Sequence, residues 1–240
     1  SDEDPAVLDL QHQALAHVET RDPELPVPRV IRTRDGALSA TVDDSGGKGH
    51  IVRLLSYMPG IDLASVALTP KVLRDLGATI ARLGKALRSF FHPAGDHVLL
   101  WDLKRLPEMR HNCDAIEDAG QRRKIEAVID HFVQADLPRL GDLRWQIIHN
   151  DANGSNVLVA EDDHERIAGI IDYGDMIHGP LILDVAVAAA GVTYHKDDPV
   201  AALRELAAGF DSVLPLDADE VDALYDLVLA RLASEILICA

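Results

Sequence analysis

The stretch from Trp145 to Asp175 constrains the fold most, because the hydrophobic period changes there while helical patterns lie on either side. Trp145 to Ile148, Val157 to Ala160 and Ile167 to Tyr173 read as short strands, and the polar segment Glu161 to Glu165 closes a hairpin between the last two. A loop, His149-Asn150-Asp151-Ala152-Asn153-Gly154-Ser155-Asn156, joins the first two strands. The third strand runs into Asp172-Tyr173-Gly174-Asp175. A polar hairpin set among helices predicts an α+β chain.

Upstream, Asp4-Pro5 is a helix-start signal, and Val7, Leu8, Leu10, Ala14, Leu15 and Val18 keep helical spacing as far as Arg21-Asp22-Pro23. Leu25 to Pro28 is extended, because proline pushes its predecessor out of the α region. Leu38 to Val42 and His50 to Met58 read as a second hairpin, whose last strand runs straight into Pro59-Gly60. That dipeptide marks a lobe boundary. Residues 1–58 are expected to form a small, partial N-terminal lobe of helix plus hairpin. Residues 59–240 form a mainly helical lobe carrying the hairpin of 145–175.

In the larger lobe, Thr69-Pro70 opens an amphipathic helix with Val72, Leu73, Leu76, Ile80, Leu83 and Leu87 on one face. Arg122 to Ala135 is a second helix, and others follow at Leu181 to Ala190, Pro199 to Gly209 and Ala218 to Leu237. Gly46-Gly47-Lys48-Gly49 lacks the Ser/Thr and the following helix of a phosphate loop, so it reads as a hairpin turn.

Forty Asp and Glu against 23 Lys and Arg leave a formal charge of −17 over 240 residues. Such a surface repels nucleic acid and anionic membrane, and it favours metals, amines or basic partners. Aromatic residues are only 4%, which further disfavours base stacking. Cys113 and Cys239 lie far apart without metal-type spacing and are expected to be free thiols in a reducing cytosol. No signal peptide is apparent, and the apolar run Pro180 to Val192 is short and broken by Asp184. A cytoplasmic protein is expected, and both ends of the sequence read as boundaries within a longer chain.

The H-x-D-x₄-N loop and the D-x-G turn carry the chemistry. Phosphoryl transfer from a nucleotide needs a carboxylate that accepts the proton of an attacking hydroxyl. It also needs an amide oxygen and a second carboxylate to hold Mg²⁺ against the phosphates. Asp151 and Asn156 can face one site across the loop, and the hairpin returns Asp172 to it. Hard oxygen donors suit Mg²⁺ rather than zinc.

In residue type, order and spacing these motifs resemble those of the aminoglycoside phosphotransferase and choline kinase family, which shares the protein-kinase-like two-lobe fold. The resemblance extends to LPVPRV (25–30), VRLLSYMPG (52–60), WDL (101–103) and LDVA (183–186), and covers roughly residues 5 to 240. Within that family the chain looks closest to hydroxylysine-kinase-like domains, some of them fused to aminotransferases. The resemblance implies Asp151 as catalytic base, Asn156 and Asp172 as Mg²⁺ ligands, and ATP as co-substrate. It also implies that His149 and Asp184 support the loop, and that backbone groups of Ser56 and Met58 meet adenine at the interlobe hinge.

The sequence departs from the family where a glycine-rich strand pair and a strand lysine should precede the first helix, since that helix begins by residue 5. Gln11 or Asp9 stands where the family usually places the glutamate that partners the lysine. Weak or no activity is therefore expected from these residues alone. Several residues have two readings: Asp175 caps the following turn or touches a second Mg²⁺, Asn153 shapes a turn or contacts substrate, and Trp101 is a buried tryptophan or, with Asp102, lines the acceptor side. The plain reading is preferred for Asp175 and Trp101. His111 and His178 read as surface or packing residues, and acids of the C-terminal helices such as Glu220 and Glu235 as solvated, one or two of them being able to bind a cationic acceptor. The resulting expectation is an ATP- and Mg²⁺-dependent kinase acting on a hydroxyl of a small amine-bearing substrate, such as hydroxylysine, an amino alcohol or an aminoglycoside. The alternatives are a pseudokinase-like regulatory domain attached to another enzyme and a metal-dependent phosphohydrolase.

Overall fold

The computed structural model of the protein describes residues 4–193 and 197–239; Ser1 to Glu3 and Ala240, which enter the reading of the chain ends, lie outside it. Asp4 caps α1 (Pro5–Arg21) by accepting a hydrogen bond from Ala6 N at 2.8 Å. The side chain thereby satisfies one of the helix's unpaired first-turn amides. The helix buries Leu10, Ala14, Leu15 and Val18. An antiparallel hairpin follows, β1 (Ala40–Asp43) on β2 (Gly49–Val52). Asp44 Oδ1 accepts from Gly46 N and Lys48 N, so the glycine-rich stretch is a side-chain-closed turn.

The strand expected from His50 to Met58 stops at Val52. Beyond it the chain pairs back onto the segment after Pro28: Ile31 N donates to Leu54 O and Ser56 N to Arg29 O, both at 2.9 Å. The extended backbone set by the prolines of 23–28 offers those partners. After Gly60 comes a strand absent from the sequence reading, β3 (Ile61–Asp62), which pairs with β5 (Val157–Val159). Gly60 has φ 156°, and a Cβ there would meet Val159 O at 2.8 Å. The Pro59-Gly60 junction thus packs directly on the central hairpin.

Thr69 caps α2 (Pro70–Leu87), which buries the full apolar stripe read from the sequence. Each large side chain on that stripe contributes about 1.5–3 kcal/mol. The helix α3 (Ala119–His131) begins earlier than Arg122 because Asp118 Oδ1 accepts from Gln121 N at 2.7 Å. Its expected last turn is replaced by a π-helical turn over Phe132–Asp136.

In the central region β5 pairs antiparallel with β6 (Ile167–Ile170), and β4 (Trp145–Ile148) pairs with a strand not foreseen, β7 (Ile177–Pro180). The helix α4 (Ile182–Thr193) is buried almost all round. It packs on α5 (Pro199–Asp211) and α6 (Ala218–Cys239). One continuous apolar core runs from Leu10 through the hairpin to Leu237.

Glu220 is not solvated: it is 1% exposed, and Arg144 Nε donates to its Oε1 at 2.8 Å. Its other oxygen accepts from Asp217 N at 3.0 Å, so it also closes the first turn of α6. No helix among the described residues is long and apolar enough to cross a membrane.

Candidate active site

The loop after β4 is organised by two buried polar side chains. Asn150 takes a left-handed φ of 65°, which an asparagine tolerates better than most residues. With the chain so turned, the N–H groups of His149 and Asn150 both donate to the Asp184 carboxylate, at 3.2 and 2.7 Å. Asp184 stands in the first turn of α4 and is 1% exposed. Burial pushes its carboxyl up to about 6, and the two amides oppose that shift.

His149 is fully buried, and burial lowers its imidazole to about 4 against a hydrogen bond to Ile171 O. The ring is therefore neutral at pH 7. Nε2 lies 3.1 Å from Ile171 O, while Nδ1 accepts from Asp151 N at 3.2 Å, so Nε2 carries the proton. One imidazole thus ties the loop to the strand leading into Asp172.

Asp151 is held on several sides. Asn156 Nδ2 donates to its Oδ2 at 2.6 Å and Asn153 Nδ2 to its Oδ1 at 2.9 Å. Asn153 also accepts from Ser155 and Asn156, so it shapes the turn and touches the carboxylate at once. On the far side Arg231 Nη2, from α6, lies 3.4 Å from Asp151 Oδ1. Burial raises the Asp151 carboxyl to about 6, in spite of that guanidinium, with Asp175 and Asp172 adding repulsion. A carboxylate so tuned is ionised at neutral pH yet close enough in pKa to accept a proton.

Ile171 N donates to Asn156 O at 2.8 Å, which sets Asn156 and Asp172 beside each other at the end of the β5–β6 ladder. Asp172 is exposed, with φ 60°, and its Oδ1 accepts from Gly174 N at 3.2 Å. The left-handed turn ends the third strand at Ile170 rather than Tyr173. Asp172 itself caps this turn. Asp175 instead accepts from Trp101 Nε1 at 2.6 Å, and burial followed by the neighbouring Asp172 raises its carboxyl.

Trp101 is only half-buried, contrary to the plain reading, and its indole lines the site. With Asp151, Asp175, Arg231, Glu235 and Ile238 it surrounds a cavity of about 210 Å³. Arg231 is 5% exposed and donates to Trp101 O at 3.2 Å and Glu235 Oε1 at 3.1 Å, so Glu235 belongs to the site as well. No sequence signal marked Arg231. It stands on a helix eighty residues from Asp151 in sequence, and only packing of α6 joins them.

Ser56 and Met58 lie apart from these contacts, before Pro59-Gly60. The Ser56 N–H donates to Arg29 O and its hydroxyl accepts from Arg29 N at 2.8 Å. Gln11, on α1, accepts from Arg53 rather than from a lysine. Asp9 accepts from Gln13 Nε2 at 2.7 Å and lies 3.2 Å from His92 Nε2.

Asn156 and Asp172, the two expected metal ligands, stand at the end of the β5–β6 hairpin, linked through the bond from Ile171 N to Asn156 O, and Asp175 follows in the same turn. The Asp172 charge raises the carboxyls of both Asp151 and Asp175, and Asp175 adds to the rise at Asp151. A hard dication relieves that repulsion, so these residues fit Mg²⁺.

A model of the phosphotransferase enzyme family matches residues 1–225. The hydroxylysine kinase of Mus musculus is 31% identical over 253 aligned positions, covering 100% of this chain and 67% of the relative. The chain thus spans about two thirds of that kinase's length. Among solved structures, a microcompartment-associated aminopropanol kinase superposes with a TM-score of 0.73 at 23% identity, covering 98% of this chain and 75% of that one. Amicoumacin kinase hAmiN, solved with AMP-PNP and Ca²⁺, gives 0.72 at 13% identity, covering 98% and 70%. At such identities the structural likeness speaks for the fold, which is the protein-kinase-like one.

Proposed function

The chain belongs to the phosphotransferase enzyme family and is a small-molecule kinase, and from that premise we propose that it moves the γ-phosphate of ATP to a hydroxyl of a compact, amine-bearing alcohol. The observation that carries this reading is the Asp151 carboxylate, fixed by Asn153, Asn156 and Arg231 at the wall of a small acidic cavity.

Asp151 is the base. The acceptor oxygen bonds to the γ-phosphorus as the bond to the β,γ-bridging oxygen breaks, its proton passes to Asp151, and ADP leaves. Because the transition state is loose, holding the hydroxyl in line matters more than removing its proton early. Asn156 and Asp172 would hold Mg²⁺, whose role when bound is to neutralise charge on the phosphates. Asp184 and His149 keep the loop in register with the hairpin. The Ser56 carbonyl and the Met58 N–H would meet adenine.

The cavity sets the acceptor class. The cavity of about 210 Å³ is open to solvent and has room for an amino alcohol or a hydroxy amino acid. Glu235 and Asp175 offer carboxylates to an ammonium, and the Trp101 ring adds a cation-binding face. Arg231 offers a guanidinium to an acceptor's carboxylate. Hydroxylysine, homoserine-like and aminopropanol-like alcohols meet that description, and a cytoplasmic setting would supply them together with ATP.

The test is ADP release by the full protein with Mg²⁺ across a panel of such alcohols and aminoglycosides. Small amino alcohols or hydroxy amino acids should stimulate ADP release at least tenfold. Glu235→Gln should raise KM for the amine-bearing acceptor about tenfold, the scale of one charge-assisted contact. ADP and inorganic phosphate appearing equally without acceptor would identify a hydrolase instead.

A further inference from the structure

At the other end of the contact between α3 and α6, three further side chains converge. His131 closes α3, and the π turn over Phe132–Asp136 swings Asp136 back beneath it. Such turns are rare in helices and frequent at functional sites. His131 Nε2 lies 3.1 Å from Asp226 Oδ2, on α6, and 3.8 Å from Asp136 Oδ2. All three atoms lie within 4.8 Å of one another.

Asp136 is what distinguishes this cluster from ordinary surface acids. Its side chain is 2% exposed, and its Oδ2, the atom aimed at His131, has no hydrogen-bond partner. Leaving a buried carboxylate oxygen unsatisfied is costly. Burial, then the nearby Asp226, raises its carboxyl, while His131 and the exposed Arg139 only partly offset this. The site lacks a positive charge at its centre.

We propose that His131 Nε2, Asp136 Oδ2 and Asp226 Oδ2 form a binding site for a transition-metal dication of the zinc class, separate from the catalytic centre. Tetrahedral zinc with bonds of about 2.0 Å places its ligand atoms about 3.3 Å apart, close to the two edges already present. An imidazole nitrogen with two carboxylates selects zinc-class ions over Mg²⁺ and Ca²⁺, which prefer oxygen alone. The fourth position faces the open side, where His131 is 55% exposed and a cavity of about 220 Å³ is lined by Ala127, Val128, His131, Asp226 and Leu229. Water completes the coordination there. An ion so placed clamps the end of α3 to α6, the helix that carries Arg231 and Glu235.

The inference does not depend on the catalytic assignment, and the experiment keeps the two apart. The full protein is stripped with chelator, held in millimolar Mg²⁺, and titrated with Zn²⁺ by calorimetry and thermal unfolding. One equivalent should bind, and zinc at a hundredfold its Kd should raise the melting temperature by roughly 5 to 10 °C. His131→Gln and Asp226→Asn, both at accessible positions, should each remove that equivalent and that rise. Asp172→Asn should retain both. Zinc binding that survives His131→Gln, or that disappears only with Asp172→Asn, overturns the proposal, as does the absence of any Zn²⁺-dependent rise.

Discussion

Asp151→Asn lowers kcat by about a thousandfold, within the range that a positioned proton acceptor contributes, while the melting temperature stays within a degree or two of the parent. The substitution keeps shape; its one amide oxygen retains the bond from Asn156 or from Asn153 but not both, and the loss of the other is offset by removing a buried charge. What disappears is the group that takes the hydroxyl proton, together with the charge facing Arg231. Nucleotide affinity should change little, because Asn156 and Asp172 remain. Steady-state kinetics alongside nucleotide titration separate these effects. Normal turnover in the variant would remove Asp151 from its role.

Gly77→Ala and Gly209→Ala each lower the melting temperature by about 5 to 10 °C, the equivalent of roughly 2–3 kcal/mol in a chain of this size. The helices α2 and α5 cross there with backbone against backbone. A Cβ on Gly77 would fall 2.0 Å from Leu206 O, and one on Gly209 2.0 Å from Arg74 O. Neither neighbour is a flexible side chain, so the helices must separate and open the core around Leu76 and Leu206. Alanine is the better helix former by about 1 kcal/mol, yet backbone overlap outweighs that gain. Gly141→Ala is the control, since nothing lies within 4 Å of a Cβ there. Thermal denaturation of the three variants decides the matter, and unchanged stability at Gly77 and Gly209 would mean the crossing is looser than described.

The long helices were legible because their signals are local: Thr69-Pro70 caps α2, and its apolar stripe repeats for five turns. The strands β3 and β7 were not, because Ile61-Asp62 and Ile177 to Pro180 are too short for a period and exist only through their partners β5 and β4. In the candidate site, Asp151, Asn156 and Asp172 could be proposed from the sequence because their spacing lies within one supersecondary unit. Arg231, Trp101 and Glu235 reach the same cavity from other elements, and no spacing rule links them. Glu220 is the instructive case. Asp217-x-x-Glu220 is a visible helix-start pattern, but the buried pairing with Arg144 comes only from tertiary packing.

The most direct measurement is the anomalous scattering of crystals grown with Mn²⁺ and a non-hydrolysable ATP analogue. A peak within bonding distance of Asn156 Oδ1 and the Asp172 carboxylate, with Asp151 outside the coordination sphere and facing the Trp101 cavity, is the result this account predicts. A cation bound by Asp151 itself, or density remote from Asn156 and Asp172, would contradict it.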